Sequence, residues 1–269
     1  MFSEIIKEIG ADTLYNLHSH TQFCDGHAPM EDFAREAASR GFKVYAFTPH
    51  SPVRESNGCN MSADSLPAYF AEVERIRRLY PQVHFLAGME IDYIDGELNA
   101  ASDLFTSLPL DFKISSVHFI PNQDGRLVDI DGRPDRFCAH LHEFFRDDLR
   151  YVVDTYFDRS EQMLATGGFD IIGHFDKVKR NASAVDPDIE SRPWYRERLD
   201  RLTDLIIASG VAVEINTKHY GSDGIFYPAP RLWRRLRDAG VTIVVNSDAH
   251  DPHAIDASRA EAFSLLNSL

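Results

Sequence analysis

The chain, 269 residues long, reads as a single α/β barrel of parallel strands, and three observations carry that reading. Seven short apolar runs recur along it with helical patterns between them, the order that builds a parallel sheet. Several helical patterns stop at a glycine just before the next run, where a left-handed residue caps a helix. Every apolar run also ends, at or just past its last residue, in a side chain able to bind a metal ion or a substrate, and parallel barrels carry their sites at the carboxyl ends of successive strands.

The first run, residues 14–17, leads into His18 and His20. A helix over 30–40 follows, with Glu31 and Asp32 in a first turn behind Pro29, where the helix dipole favours acids, and Gly41 at its end. The second run, 44–47, leads into His50; after a helix over 66–80, the third, 83–87, leads into Glu90. The fourth, 112–117, meets His118, and a polar stretch over 121–135 interrupts the alternation there. That stretch is an insertion and a lid candidate, because long loops at the active face of a barrel are commonly functional. A helix over 148–166 ends at Gly167-Gly168 before the run 169–172 and His174, and a helix over 195–209 ends at Gly210 before the run 211–215 and Asn216. Finally a helix over 230–239, closed by Gly240, precedes the run 241–245, which leads into Asp248 and His250. Seven units against the usual eight is a deviation from the standard barrel.

Composition narrows the chemistry. With 28 basic and 42 acidic residues the formal charge is −14, which disfavours nucleic acid and anionic membranes as partners, since both need a basic footprint. No apolar run approaches the ~18 residues that span a bilayer, and residues 1–10 alternate charge with isoleucine rather than resembling a signal peptide, so a cytoplasmic location is expected. Cys24, Cys59 and Cys138 are an odd, widely spaced set that indicates neither a disulfide framework nor a thiolate zinc cage.

The strongest local signal is His18-Ser19-His20. Residues two apart on an extended segment point the same way, so both imidazoles can face one ion. Asp248 and His250 repeat this spacing at the last strand end, and His50, His118 and His174 also fall at strand ends. Asp25 sits in a turn that can fold back over the same face, where His27 competes with it and Asp25 is preferred. Glu90 brings a carboxylate to the end of a buried run, and a carboxylate can bridge two cations whereas a neutral imidazole binds one. The remaining histidines read as surface or packing residues, His219 excepted because it shares a loop with Lys218.

Taken in order, Leu17-His18-Ser19-His20, Phe23-Cys24-Asp25-Gly26, Thr48-Pro49-His50-Ser51, Ala87-Gly88-Met89-Glu90, Ser115-Ser116-Val117-His118-Phe119, Ile171-Ile172-Gly173-His174-Phe175-Asp176, Glu214-Ile215-Asn216-Thr217 and Asn246-Ser247-Asp248-Ala249-His250 resemble the polymerase and histidinol phosphatase (PHP) superfamily. Within it the resemblance is closest to the histidinol-phosphate phosphatases, and it runs from Asn16 to His250. It implies a distorted (β/α)7 barrel, which accounts for the missing eighth unit, with residues 1–269 as one domain. It also implies three divalent ions of zinc, manganese or iron. His18, His20, Glu90 and Asp248 would hold one; Glu90 would bridge to a second on His118 and His174; Asp25, His50 and His250 would hold the third. Two departures stand out: Pro49 precedes His50 where many relatives have Asp, and Lys218-His219-Tyr220-Gly221 follows Thr217 where relatives often carry an arginine for the phosphate.

The activity implied is hydrolysis of a small phosphorylated substrate, L-histidinol phosphate, by in-line attack of a metal-bound hydroxide without a phosphoenzyme. Glu90, Asp248 and His250 are the residues expected to carry catalysis, and the proton for the leaving alcohol falls to Asp248 or to a metal-bound water. Lys179, Arg180 and Lys218, on segments leaving strand ends, are the cations placed to meet the phosphate. Two other readings share the pattern: a relative acting on nucleotide or sugar phosphates, and a non-catalytic metal-binding module of the kind attached to DNA polymerases. The acidic charge, the full ligand set and the end of the chain soon after the last barrel unit weigh against the module.

Overall fold

The computed structural model of the protein describes residues 2–54 and 58–269. Seven parallel strands form one sheet in the order β1 (Tyr15–Asn16), β2 (Val44–Phe47), β3 (His84–Asp92), β4 (Phe112–Ser116), then, after the hairpin β5 (Phe119–Pro121) and β6 (Leu127–Asp129), β7 (Ile171–Ile172), β8 (Ala212–Asn216) and β9 (Ile243–Asn246). All seven runs read from the sequence become these strands. Most are trimmed at their ends, while β3 is extended through Glu90 to Asp92.

The sheet curls until its edges meet, although β1 is too short to make a full ladder with β9. Side chains complete the seam. The amide of Leu17 donates to Asn246 Oδ1 and that of Ser247 to Asn16 Oδ1, each at 2.9 Å, and the Val245 amide donates to the Tyr15 hydroxyl at 2.9 Å. Past the strands, Ser19 and Ala249 pair as a parallel bridge, and the His20 amide donates to the Ala249 carbonyl at 2.8 Å. Buried backbone groups need such partners, so the asparagines are what let a seven-unit barrel close.

Alternation along each strand sorts the residues into two layers. Tyr45, Phe47, Phe85, Met89, Ile91 and Val213 point outward and pack under the helices in the main core. Val44, Ala46, Leu86, Phe112, Ile114, Ala212 and Val244 point inward, and helix Phe2–Ile9 plugs the barrel floor by adding Ile5 and Ile9 to this cluster. The same inward columns change character as they climb. Leu86 is followed by Gly88, Glu90 and Asp92; Ile114 by Ser116; Ala212 by Glu214 and Asn216; and Val244 by Asn246 and Asp248. Apolar floor gives way to a buried polar mouth.

The insertion is more ordered than a bare polar loop. Its residues pair as an antiparallel hairpin with Phe119 opposite Asp129, turning at Asn122–Gly125, where Gly125 takes a left-handed φ of +84°. Its last residues start the helix Pro134–Phe145.

Gly173 shows how little room the mouth leaves: a Cβ there would lie 2.4 Å from Ser116 Oγ and 3.1 Å from Ile114 Cγ2. Gly173→Ala is expected to lower stability by about 1–3 kcal/mol, the usual cost of overpacking, read by denaturant unfolding of the two proteins. An unchanged midpoint would show that the mouth yields.

Candidate metal centre

Nine side chains predicted as ligands lie at the carboxyl-terminal mouth of the barrel, and Glu90 is their hub. Its Oε2 lies 3.0 Å from His50 Nδ1, 3.2 Å from His18 Nε2 and 3.5 Å from His20 Nε2. Its Oε1 lies 2.9 Å from His174 Nε2 and 3.5 Å from His118 Nε2, and accepts from Ser116 Oγ at 2.7 Å. One carboxylate therefore faces two groups of imidazoles, one on each oxygen. Asp248 Oδ1 adds to the His18 and His20 side, 3.1 Å from His20 Nε2. Asp25 Oδ1 completes the outer side, 3.4 Å from His250, 3.6 Å from His20 and 3.8 Å from His50. Ligand atoms of His20, Asp25, His50 and His250 all lie within 4.8 Å of one another, as do those of His18, His20 and Glu90, and those of His50, Glu90 and His118. His50 thus reaches Glu90 as well as Asp25. His27, the competitor of Asp25, is turned outward to Asp251 at 3.0 Å.

The site fits divalent cations. Asp25 Oδ1 and Glu90 Oε2 are buried without a hydrogen-bond partner, and a buried carboxylate oxygen left this way is costly unless a cation meets it. The donors are imidazole nitrogens and carboxylate oxygens, the set that suits zinc, manganese and iron. Burial alone would raise the carboxyl of Glu90, but His18, His50 and His118 hold it well below the usual carboxylate range. Burial is likewise overcome at Asp248, by Lys218 and His18. Both are ready as anions. Cys24 lies 3.4 Å from His20 Nδ1, yet burial and the charge of Asp25 push its thiol up to about 12, so it stands as a neutral neighbour.

Asp248 holds its place with a left-handed φ of +50°, a conformation that a non-glycine residue keeps only where its surroundings impose it. Asn216 Nδ2 donates to its Oδ2 at 3.0 Å. Two further carboxylates, passed over as functional residues in the sequence, stand behind two of the histidines. Glu214 Oε1 lies 2.6 Å from His18 Nδ1, and Asp92 Oδ1 lies 2.6 Å from His118 Nδ1. Each leaves Nε2 of its histidine turned toward Glu90. The signal was available, because Asp92 stands two residues past Glu90, and Glu214 two before Asn216, on the same inward column.

The three predicted phosphate cations separate. Lys218 stands in the centre, with Nζ 3.4 Å from Asp248 Oδ1 and 3.2 Å from His250 Nε2. Arg180 donates to Asp223 at 2.6 Å and to the Gly132 carbonyl at 3.1 Å. Lys179 is 2 % exposed and spends its ammonium on Asp176 and the Phe226 carbonyl, each at 2.9 Å. Residues two apart on the helical turn that follows His174 point about 200° apart, so the lysine turned toward the centre is Lys177. Burial would lower its ammonium, but Asp131, Asp248 and Glu90 raise it well above the ordinary lysine range. Burial, with Lys177, Arg180 and Lys218 adding to it, depresses His219 to about 3, and each of those cations is itself paired, with Asp131, Asp223 and Asp248. A cavity of about 600 Å³ opens at the β5–β6 hairpin, where Phe119, Ile94 and Phe144 share the lining with Arg54, Arg126, Arg136 and Asp129.

A parallel barrel with a carboxylate-bridged cluster of imidazoles at its mouth defines a metal-binding enzyme fold. The chain belongs to the PHP domain family, whose sequence profile matches residues 16–218. It is 29% identical over 255 residues to a probable histidinol-phosphatase of Deinococcus radiodurans, covering 93% of this chain and 91% of the relative. It is 26% identical over 268 residues to a probable histidinol-phosphatase of Schizosaccharomyces pombe, covering 93% and 85%. Among solved structures, the histidinol phosphate phosphatase of Lactococcus lactis, crystallised with zinc, L-histidinol and phosphate, superposes with a TM-score of 0.70 at 22% identity, over 94% of this chain and 92% of that one. That likeness establishes the fold.

Replacing Asp92 by Asn, or Glu214 by Gln, is expected to leave the barrel folded and weaken metal retention by about 10–100-fold, the usual effect of removing a carboxylate behind a ligating histidine. Competition with a chelator, followed by metal analysis, reads the loss. Unchanged retention in both variants would mean that the two carboxylates orient nothing.

Proposed function

We propose that the chain hydrolyses L-histidinol phosphate to L-histidinol and phosphate, as a metal-dependent phosphomonoesterase. The observation that carries this reading is the Glu90-centred cluster of imidazoles and carboxylates at the mouth of a barrel whose near full-length relatives are named as histidinol-phosphatases. The centre would hold divalent ions of zinc, manganese or iron, up to three of them, on His18, His20, Glu90, Asp248, His118, His174, Asp25, His50 and His250. When bound, such ions lower the pKa of coordinated water and neutralise charge on the phosphoryl oxygens.

This chain's own residues supply the rest. Glu90, Asp248 and His250 fix the geometry in which the phosphoryl group is attacked. Lys218, between Asp248 and His250, meets the phosphoryl oxygens. Lys177 and Lys218 bring positive charge to the mouth of a net negative chain. The cavity at the β5–β6 hairpin, with aromatic and charged walls, is the space open to the organic part of the ester.

The direct test is phosphate release by the metal-loaded protein from L-histidinol phosphate beside a panel of nucleotide and sugar phosphates. Strong preference for L-histidinol phosphate is expected. Activity centred on another ester would keep the chemistry and overturn the substrate. Chelation should abolish turnover and one of the three metals should restore it. Glu90→Gln, which removes the shared anion, should lower turnover by roughly a hundredfold or more while circular dichroism stays unchanged. A fully active Gln variant would refute the bridging role.

A further inference from the structure

The stretch that leaves the hairpin lies across one half of the metal centre and is fastened from two directions. Beneath it, the Ile130 amide donates to the carbonyl of His118 at 3.0 Å. Beside it, Asn181 Nδ2 donates to the Ile130 carbonyl at 3.0 Å and Arg180 Nη1 to the Gly132 carbonyl at 3.1 Å. Those bonds grip the backbone on both sides of Asp131 and leave its side chain to act elsewhere. It accepts from Lys177 Nζ at 2.8 Å. Lys177 is anchored in turn through its amide, which donates to the carbonyl of His174 at 2.8 Å. The two residues therefore stand against His118 and His174, whose Nε2 atoms are 3.5 Å apart and face Glu90 Oε1.

The lysine side chain is 9 % exposed and the aspartate 28 %. A pair buried to that degree is a weak source of stability, since desolvation offsets most of the attraction, and the backbone bonds already hold the loop. Its charges are what the site can use. A phosphate ester of a 2-amino alcohol carries an ammonium on the carbon next to the ester-bearing carbon, so its negative and positive ends lie close together. Lys177 and Asp131 present the opposite charges side by side, next to two ligands of the metal centre.

We propose that Lys177 and Asp131 form the recognition pair for a zwitterionic amino alcohol phosphate: Lys177 Nζ donates to a phosphoryl oxygen and the Asp131 carboxylate accepts from the substrate ammonium. Binding exchanges one ion pair within the protein for two with the substrate. An ester without the ammonium would leave Asp131 beside a phosphate with no cation of its own, so the pair selects against plain phosphate esters as well as for amino ones. The inference rests on the phosphomonoesterase reading above and deepens it.

The test compares kcat/KM of the metal-loaded full chain for L-histidinol phosphate and for its des-amino analogue, 3-(imidazol-4-yl)propyl phosphate, with L-histidinol and inorganic phosphate as separate inhibitors. Asp131→Asn should lose about tenfold or more on L-histidinol phosphate, the scale of a charged hydrogen bond. It should gain on the analogue, because the carboxylate beside the phosphate is neutralised, and weaken inhibition by L-histidinol but not by phosphate. Lys177→Met should lose on both substrates and weaken inhibition by phosphate but not by L-histidinol, and Asp131→Glu should recover part of the amine preference. Equal losses of Asp131→Asn on both substrates, with a fall in melting temperature or metal content, would make the pair structural and overturn the proposal. So would an unchanged preference. A parent protein that does not prefer L-histidinol phosphate over other esters would overturn the functional reading itself, whereas a parent that does, combined with a selective Asn variant, separates the two.

Discussion

One buried carboxylate organises the molecule. Glu90 is 1 % exposed at the barrel mouth, with imidazoles from four other strand ends turned toward its two oxygens. An anion in that position is costly unless cations meet it, and so many imidazoles cannot all be protonated at such short separations without repelling one another. The architecture around it holds these groups close despite that repulsion. Ser116 steadies one oxygen, Glu214 and Asp92 fix the rings of His18 and His118, and Asn216 restrains Asp248. The rings are therefore held by side chains of the protein itself.

Supporting that hub requires a barrel with an apolar floor and a polar mouth, built from the same strands. The two-residue repeat supplies both, because each inward column carries small or aliphatic side chains below and ligands or their supports above. Closure between β1 and β9 depends on Asn16, Asn246 and Tyr15 standing in for missing ladder bonds. The seam thus lies directly under His18, His20 and Asp248, which ties the integrity of the barrel to the integrity of the site.

Much of this was legible in the chain. The seven apolar runs all became parallel strands, and the glycines at 41, 210 and 240 take the left-handed conformation expected after a helix. Local periodicity carries such information, since it depends on residues near one another in sequence. The lysines were harder to read. Lys177 and Lys179 differ by two positions on one turn, and no spacing rule says which faces the metal, because that depends on how the turn leaves β7 and packs on Asp176. The insertion likewise read as a polar loop, since a three-residue strand pair and a helix start leave little periodicity to detect.

The sequence by itself determined the class of fold and which histidines and acids gather at the barrel mouth: alternation sets which side chains share a face, and a histidine or acid just past an apolar run can go only to the strand end. Tertiary structure alone decided which acids stand behind the histidines, and that Lys177 rather than Lys179 is turned from the Asp176 side. Those choices turn on angstrom-scale approach between strands far apart in the chain, Glu90 to His174 and His18 to Glu214 among them. Contacts of that kind are set by closure of the barrel, and no pattern of neighbouring residues encodes them.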